Sequence, residues 1–211
     1  MSFSIFSAAL DLLGQPRCPA CDGRVETNGC FCDACAPLLE KSSDPKFAYE
    51  YGGPLADAIV KMKYESRRDA SIALCRLFAE EAGRFQGHVD VVVHVPLHRS
   101  RLMIRGFDQA AFLARAAANE LGVPHKRRWL YRRRATASQT SLDTRSARQR
   151  NVRAAFGSRR HLPAVRVLLV DDVMTTGATI SAATEALISA GVVEVVPFSL
   201  SGVVDERTIN R

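Results

Sequence analysis

The chain has no apolar window approaching the roughly 20 residues that a membrane-crossing helix needs, so no membrane span is expected. Its opening segment, Met1 to Arg17, is apolar but lacks the positive n-region and small-residue cleavage site of a signal peptide. It reads instead as an amphipathic helix with Phe6, Ala9, Leu10 and Leu13 on one side. There is no internal repeat and no low-complexity tract, which argues against a solenoid or a disordered tail. No zinc-hydrolase motif and no convincing nucleophile triad occurs, so metal-assisted hydrolysis and acyl transfer have no support. His94 and His98, which flank Pro96, read as core or loop histidines. Acids are scarce in one place: from Lys126 to Arg166 there are 13 Lys or Arg and one acid, Asp143.

That local charge of +12 sits in a chain of net charge +7, so the remainder sums to −5. A concentrated basic segment calls for an anionic partner, either nucleic acid or a phosphate ester; the bland alternative is a solvated loop. The 211 residues, 47% hydrophobic and 24% charged, allow one sizeable core with a small appendage.

Five of the six cysteines crowd into residues 18–35. Cys18 and Cys21 form one C-x-x-C pair, Cys32 and Cys35 another. Each such turn aims two thiolates at one ion, and two turns complete a tetrahedron, the four-cysteine zinc pattern. A Gly-, Asn- and Asp-rich segment this short cannot bury a core, so Zn2+ would supply its folding energy. With four thiolates there is no open coordination place, and the site reads as structural or as a docking surface. A disulfide framework suits the reducing, cytoplasmic setting expected here poorly. Cys30 is left as a bystander thiol and Cys75 as a core residue.

After the ribbon, Ala36 to Lys46 reads as a linker. Gly53 and Pro54 suit a helix start, with Leu55, Ile59 and Met62 along one face. Asp69 is expected to cap a second helix carrying Ile72, Cys75, Phe78 and Ala82. The β-branched run from Val89 to Val95 has the composition of a strand buried on both faces. A helix follows, with Gly122 just past its end. Trp129 to Arg133 is a short strand candidate, Arg166 to Asp172 a second buried strand, Gly177 to Gly191 a helix, and Val193 to Val204 a third strand. Strands alternate with helices, so the fold class is α/β with a mainly parallel sheet. The expected domains are residues 1–40, the helix and ribbon, and residues 41–211.

The most informative stretch is VLLVDDVMTTGATI, Val167 to Ile180. A turn of Thr, Gly and Ala joins a buried strand to a helix, and free N–H groups at a helix start, with the helix dipole, attract an anion. Gly177 lets the backbone approach, and Thr175, Thr176 and Thr179 add hydroxyl donors. Asp171 and Asp172 would repel a phosphate at contact distance but accept hydrogen bonds from vicinal hydroxyls. A ribose 5′-phosphate satisfies both features.

Asp171, Asp172, Val173, Met174, Thr175, Thr176, Gly177, Ala178 and Thr179 resemble the phosphoribosyl pyrophosphate (PRPP) motif of type I phosphoribosyltransferases. IVKMKYES, VPLHRSRLMIRGFDQA, RRRATASQTSL and RQRNVRAAF, in that order behind a cysteine ribbon, resemble the competence protein F (ComF) family. The likeness runs from about Cys18 to about Gly202; Asp108 stands where the family commonly has asparagine. The resemblance implies a zinc ribbon joined to a phosphoribosyltransferase-like domain and a link to DNA uptake. It implies that Lys63 and Tyr64 lie in a pyrophosphate loop and that Arg105 reaches pyrophosphate or nucleic acid, with Lys63 and Arg105 as the catalytic candidates. Arg132, Arg133, Arg134 and Gln139 would belong to a flexible loop that closes over PRPP or binds nucleic acid. Mg2+ would come with PRPP. Two readings stand side by side. One is phosphoribosyl transfer to an unknown acceptor. The other is a non-catalytic single-stranded-DNA binder or adaptor for a helicase-like uptake protein, with the PRPP pocket a sensor or relic.

Overall fold

The computed structural model describes residues 17–25, 30–65, 67–133 and 155–203. Its centre is a four-stranded, wholly parallel sheet in the order β1-β6-β5-β2. The strands are β1 (Phe47–Glu50), β2 (Val91–His94), β5 (Arg166–Met174) and β6 (Glu194–Gly202). The helices are α1 (Gly53–Tyr64), α2 (Arg68–Ala82), α3 (Arg99–Arg105), α4 (Gln109–Leu121) and α5 (Ala178–Ile188). A separate antiparallel ribbon pairs β3 (Leu130–Arg132) with β4 (Phe156–Ser158).

The period-2 alternation of the strands sorts side chains onto two faces. Leu168 and Val170 of β5, Val92 of β2, and Phe198 and Leu200 of β6 join the apolar faces of α1, α2 and α4. Phe198 is the hub, stacked on Phe78 and met edge-on by Phe85, each at 4.9 Å between ring centroids. On the other face Val91, Val93, Val167 and Leu169 pack with Ile180, Ala183 and Leu187 of α5 and with Leu130 and Phe156 of the β-ribbon. Burial on both faces is why β2 and β5 are near-continuous runs of branched residues.

Helix limits follow local chemistry. Pro54 occupies the first turn of α1. Asp108 caps α4 by accepting from the Ala111 N–H at 3.2 Å, and Gly122 ends it in the left-handed conformation. Asp69 lies inside the first turn of α2 and not at its cap, which is Arg67; its carboxylate accepts from the Ala70 N–H at 2.9 Å. Cys75, the expected core residue, is half-buried against the first apolar cluster.

The linker reading stops short of β1. Four residues, FAYE, carry no strand signature by themselves, but β6 offers an unpaired edge. Lys46 C=O accepts from Ser199 N–H, and Tyr51 N–H donates to Gly202 C=O. Phe47 seats its ring on Gly202, where a Cβ would stand 2.5 Å from it. The cysteine segment shares this core: Cys18, Ala20, Val25, Phe31 and Cys35 lie in one apolar cluster with Leu55, Ile59 and Met62 of α1. Among the described residues no helix is long and apolar enough to cross a membrane.

Candidate functional site

The Sγ atoms of Cys18, Cys21, Cys32 and Cys35 all lie within 4.8 Å of one another. The Cys21 and Cys32 sulfurs are 3.5 Å apart. A tetrahedron with bonds near 2.3 Å has S···S edges of about 3.8 Å, so the thiols are spaced for one ion of zinc's size. Gly23 leaves room for them: a Cβ there would sit 3.3 Å from the Cys21 sulfur and 3.7 Å from that of Cys32. All six cysteines are free thiols. Burial pushes the Cys18 thiol up, but backbone N–H groups of the two knuckles outweigh it and bring it down to about 7. Cys35, buried among three other thiols, is pushed far up. Four sulfurs that cannot all ionise alone suit a cation that lets them do so. Cys30 stands outside the group, half-buried against the apolar cluster.

The second assembly lies at the carboxyl end of β5. The two acids belong to the strand itself, which runs on to Met174 before the turn begins. Consecutive strand positions carry them to different sides. Asp172 turns toward α1, where Lys63 Nζ pairs with its Oδ2 at 2.8 Å, each side chain about 15% exposed. Asp171 accepts from the Asp172 N–H at 2.9 Å and feels the charge of Arg132 from the β-ribbon. Burial, then the Asp172 charge, raises the Asp171 carboxyl well above the ordinary range; Lys63 opposes the rise. Beyond Asp172 the alternation slips: Val173 joins the first apolar cluster and Met174 the second.

The turn that follows, Thr175 to Gly177, is exposed at its threonines, and Gly177 is left-handed at φ +68° as the N-cap of α5. No side chain caps this helix, so its first N–H groups face outward. Open space surrounds Gly177, so the glycine is there for its backbone angle. Ala178 and Thr179 form the first turn of α5 and are half-buried.

Lys63 and Tyr64 end α1, and Arg105 ends α3. Arg105 stacks over the Tyr64 ring at 5.3 Å and donates to Gln109 Oε1 at 3.3 Å. The structure therefore brings Lys63, Tyr64 and Arg105 to the same sheet edge as Asp171 and Asp172. Among the described residues the cysteines are the one group of three or more ligands gathered tightly enough for a metal.

Asp108 is a participant that sequence reasoning set aside. Its Oδ2 accepts from the Leu97 N–H at 3.0 Å, which ties the loop after β2 to the start of α4. Burial raises its carboxyl, and the Asp172 charge adds to the rise. His94, on buried β2, shares a 3.0 Å hydrogen bond with His125, and its Nε2 lies 3.8 Å from Asp108. Burial lowers both imidazoles to about 4, so both are neutral at pH 7. His98 caps α3 through Ser100. The helix-start pattern at Asp108 was a usable signal for the cap; its nearness to Asp172 depends on the crossover and had none.

The basic segment divides. Arg132 is half-buried on β3 with its guanidinium 5.1 Å from the Phe156 ring, whereas Arg133 is exposed beside the Tyr131 ring at 5.6 Å. Trp129 packs on the second apolar cluster, whereas Tyr131 is 42% exposed. Arg134 and Gln139 lie outside the described residues, as does the expected opening helix.

No protein-family model matches the chain. DNA utilization protein YhgH of Salmonella typhi is 34% identical over 147 residues, 67% of this chain and 64% of that protein. YhgH of Escherichia coli K12 is 33% identical over the same span. Competence protein F of Haemophilus influenzae is 29% identical over 196 residues, covering 88% of this chain and 84% of that one. The chain thus spans 64% of the length of the first of these relatives. Among solved structures, the glutamine PRPP amidotransferase of B. subtilis overlaps 64% of this chain and 29% of its own, with 23% identity and a TM-score of 0.44. Adenine phosphoribosyl transferase of Trypanosoma brucei overlaps 79% of this chain and 90% of its own, with 16% identity and a TM-score of 0.42.

Proposed function

The chain is homologous to DNA utilization protein YhgH and competence protein F, and from that premise we propose that it binds PRPP with Mg2+ at the carboxyl edge of its sheet in the service of DNA uptake. The observation that carries the reading is convergence. A ribose-type acceptor pair (Asp171, Asp172), a cationic pair for pyrophosphate (Lys63, Arg105) and an uncapped helix start meet at one edge of a parallel sheet.

In this reading the 5′-phosphate sits on the N–H groups of the turn Thr175 to Thr179. The sugar hydroxyls face the acids, and the pyrophosphate meets Lys63 and the Arg105–Tyr64 stack. Ligand entry would exchange the Lys63–Asp172 pair for contacts with the ligand. If transfer occurs, the bond from the anomeric carbon to pyrophosphate breaks as the acceptor bond forms. The protein stabilises the departing charge and excludes water. The test is incubation with PRPP, Mg2+ and pooled bases or single-stranded DNA while pyrophosphate is measured. Release marks a transferase. Calorimetric binding without release marks a binder, and no heat from PRPP at millimolar concentration refutes the site.

The non-catalytic nucleic-acid reading draws on one feature, the exposed Tyr131–Arg133 pair, which offers a ring and a cation to an unpaired base. Reversing charge at Arg132 to Arg134 should then weaken single-stranded DNA binding and flatten its salt dependence. An unaltered slope places the DNA elsewhere.

A further inference from the structure

The first cysteine knuckle reaches across to the end of α1. Its backbone closes on itself through Cys18 N–H to Gly23 C=O at 2.7 Å and Asp22 N–H to Cys18 C=O at 3.1 Å. Asp22 adopts a left-handed φ of +64°, which puts its carboxylate outside the turn. Lys61 Nζ donates to the Ala20 carbonyl at 2.6 Å and to Asp22 Oδ2 at 2.9 Å. Arg67 pairs with Asp22 and with Asp69. Lys61 and Arg67 thus bracket Lys63 and Tyr64 in the chain, and both are tied to one carboxylate between the ligands of the metal site. Lys61 and Lys63 lie on different sides of α1, one turned to the knuckle and the other to Asp172. The Lys61 and Arg67 side chains are 18% and 21% exposed, and Asp22, at 44%, sits at the rim of the contact.

We infer that Asp22 and Lys61 are positioning residues for the pyrophosphate loop: the knuckle, in the shape its metal imposes, holds the segment carrying Lys63 and Tyr64, so that metal occupancy and affinity for the phosphorylated ligand are linked. The inference rests on the PRPP reading above and deepens it. Linkage is reciprocal: whatever the metal does for ligand affinity, the ligand does for metal retention. Without the metal the knuckle keeps only its backbone bonds and its apolar packing, so Ala20 C=O and Asp22 are held less firmly.

The test uses the full, zinc-loaded chain and magnesium PRPP. In calorimetry Asp22→Asn should bind about fivefold or more weakly than wild type at unchanged zinc content, and Asp22→Glu should recover most of the loss. Saturating magnesium PRPP should slow zinc transfer to a chromogenic chelator in the wild type and have little effect in Asp22→Asn. Lys61→Gln, on the helix side of the contact, should reproduce both effects and decides the matter if Asp22→Asn sheds its zinc. Equal affinity of wild type and Lys61→Gln, or zinc release indifferent to the ligand, overturns the linkage and leaves the PRPP site standing. Wild-type protein that binds no PRPP overturns both.

Discussion

Lys63→Met is the sharpest perturbation of the sheet edge. The methionine keeps the length of the aliphatic stem and removes the charge that lies 2.8 Å from Asp172. Breaking a buried pair by removing one partner costs about 3–5 kcal/mol, because the other charge is left behind. Both side chains here are about 15% exposed, so the low end, roughly 3 kcal/mol, is expected at pH 7.5. For a chain of this size that is a fall of roughly 6–12 °C in Tm. The pH dependence is the more telling readout. The Asp171 carboxyl is raised in the folded state, and Lys63 is the cation that opposes the rise. A raised acid binds its proton more readily folded than unfolded, so its penalty is full above the folded pKa and fades as pH falls from there to the unfolded pKa. Without Lys63 that value climbs further, and the variant's deficit should shrink as pH falls from 7.5 toward the ordinary carboxylate range. Differential scanning calorimetry of both proteins across that range is the assay. A variant within 1 °C of wild type at pH 7.5, or a deficit of constant size at every pH, would refute the electrostatic account of this edge.

Other expectations follow from the same structure. Asp171→Asn with Asp172→Asn should abolish thermal stabilisation by PRPP while the protein stays folded; undiminished stabilisation rejects the ribose assignment. Purified protein should carry about one zinc by elemental analysis, the stoichiometry of a four-thiolate site, and serine at Cys18 or Cys35 should lose it; metal-free wild type ends that claim. Gly177→Ala should cost about 1–2 kcal/mol through its left-handed angle alone, with Gly177→Asn milder, because open space surrounds the position; equal denaturation midpoints would count against it. Asp90, brought down to about 2 by the Arg166 guanidinium and N–H, contributes stability present above the ordinary aspartate range and lost as pH falls from about 4 toward 2. Asp90→Asn should therefore flatten the acid limb of a pH-unfolding curve over that window and change nothing at pH 7 beyond a small surface-pair loss.

Local chemistry alone determined the strand–turn–helix around Asp171, the parallel character of the sheet, the start of α1, the end of α4 and the four cysteines that gather. Each depends on residues a few positions apart: branched runs, a capping glycine, a proline at a first turn, two C-x-x-C turns. Tertiary structure decided what lies across from what. β1 exists because β6 has an open edge and Gly202 admits Phe47, information 155 residues away from the strand it creates. The pairing of Lys63 with Asp172 and the nearness of Asp108 to both acids arise because parallel strands need long crossovers, which return distant segments to the same sheet edge, and the bridge from Asp22 to Lys61 arises because the cysteine segment packs on α1. Periodicity reads the face of an element. It carries no term for the neighbour that face will meet, and in this protein the electrostatics of the candidate site are set by such neighbours.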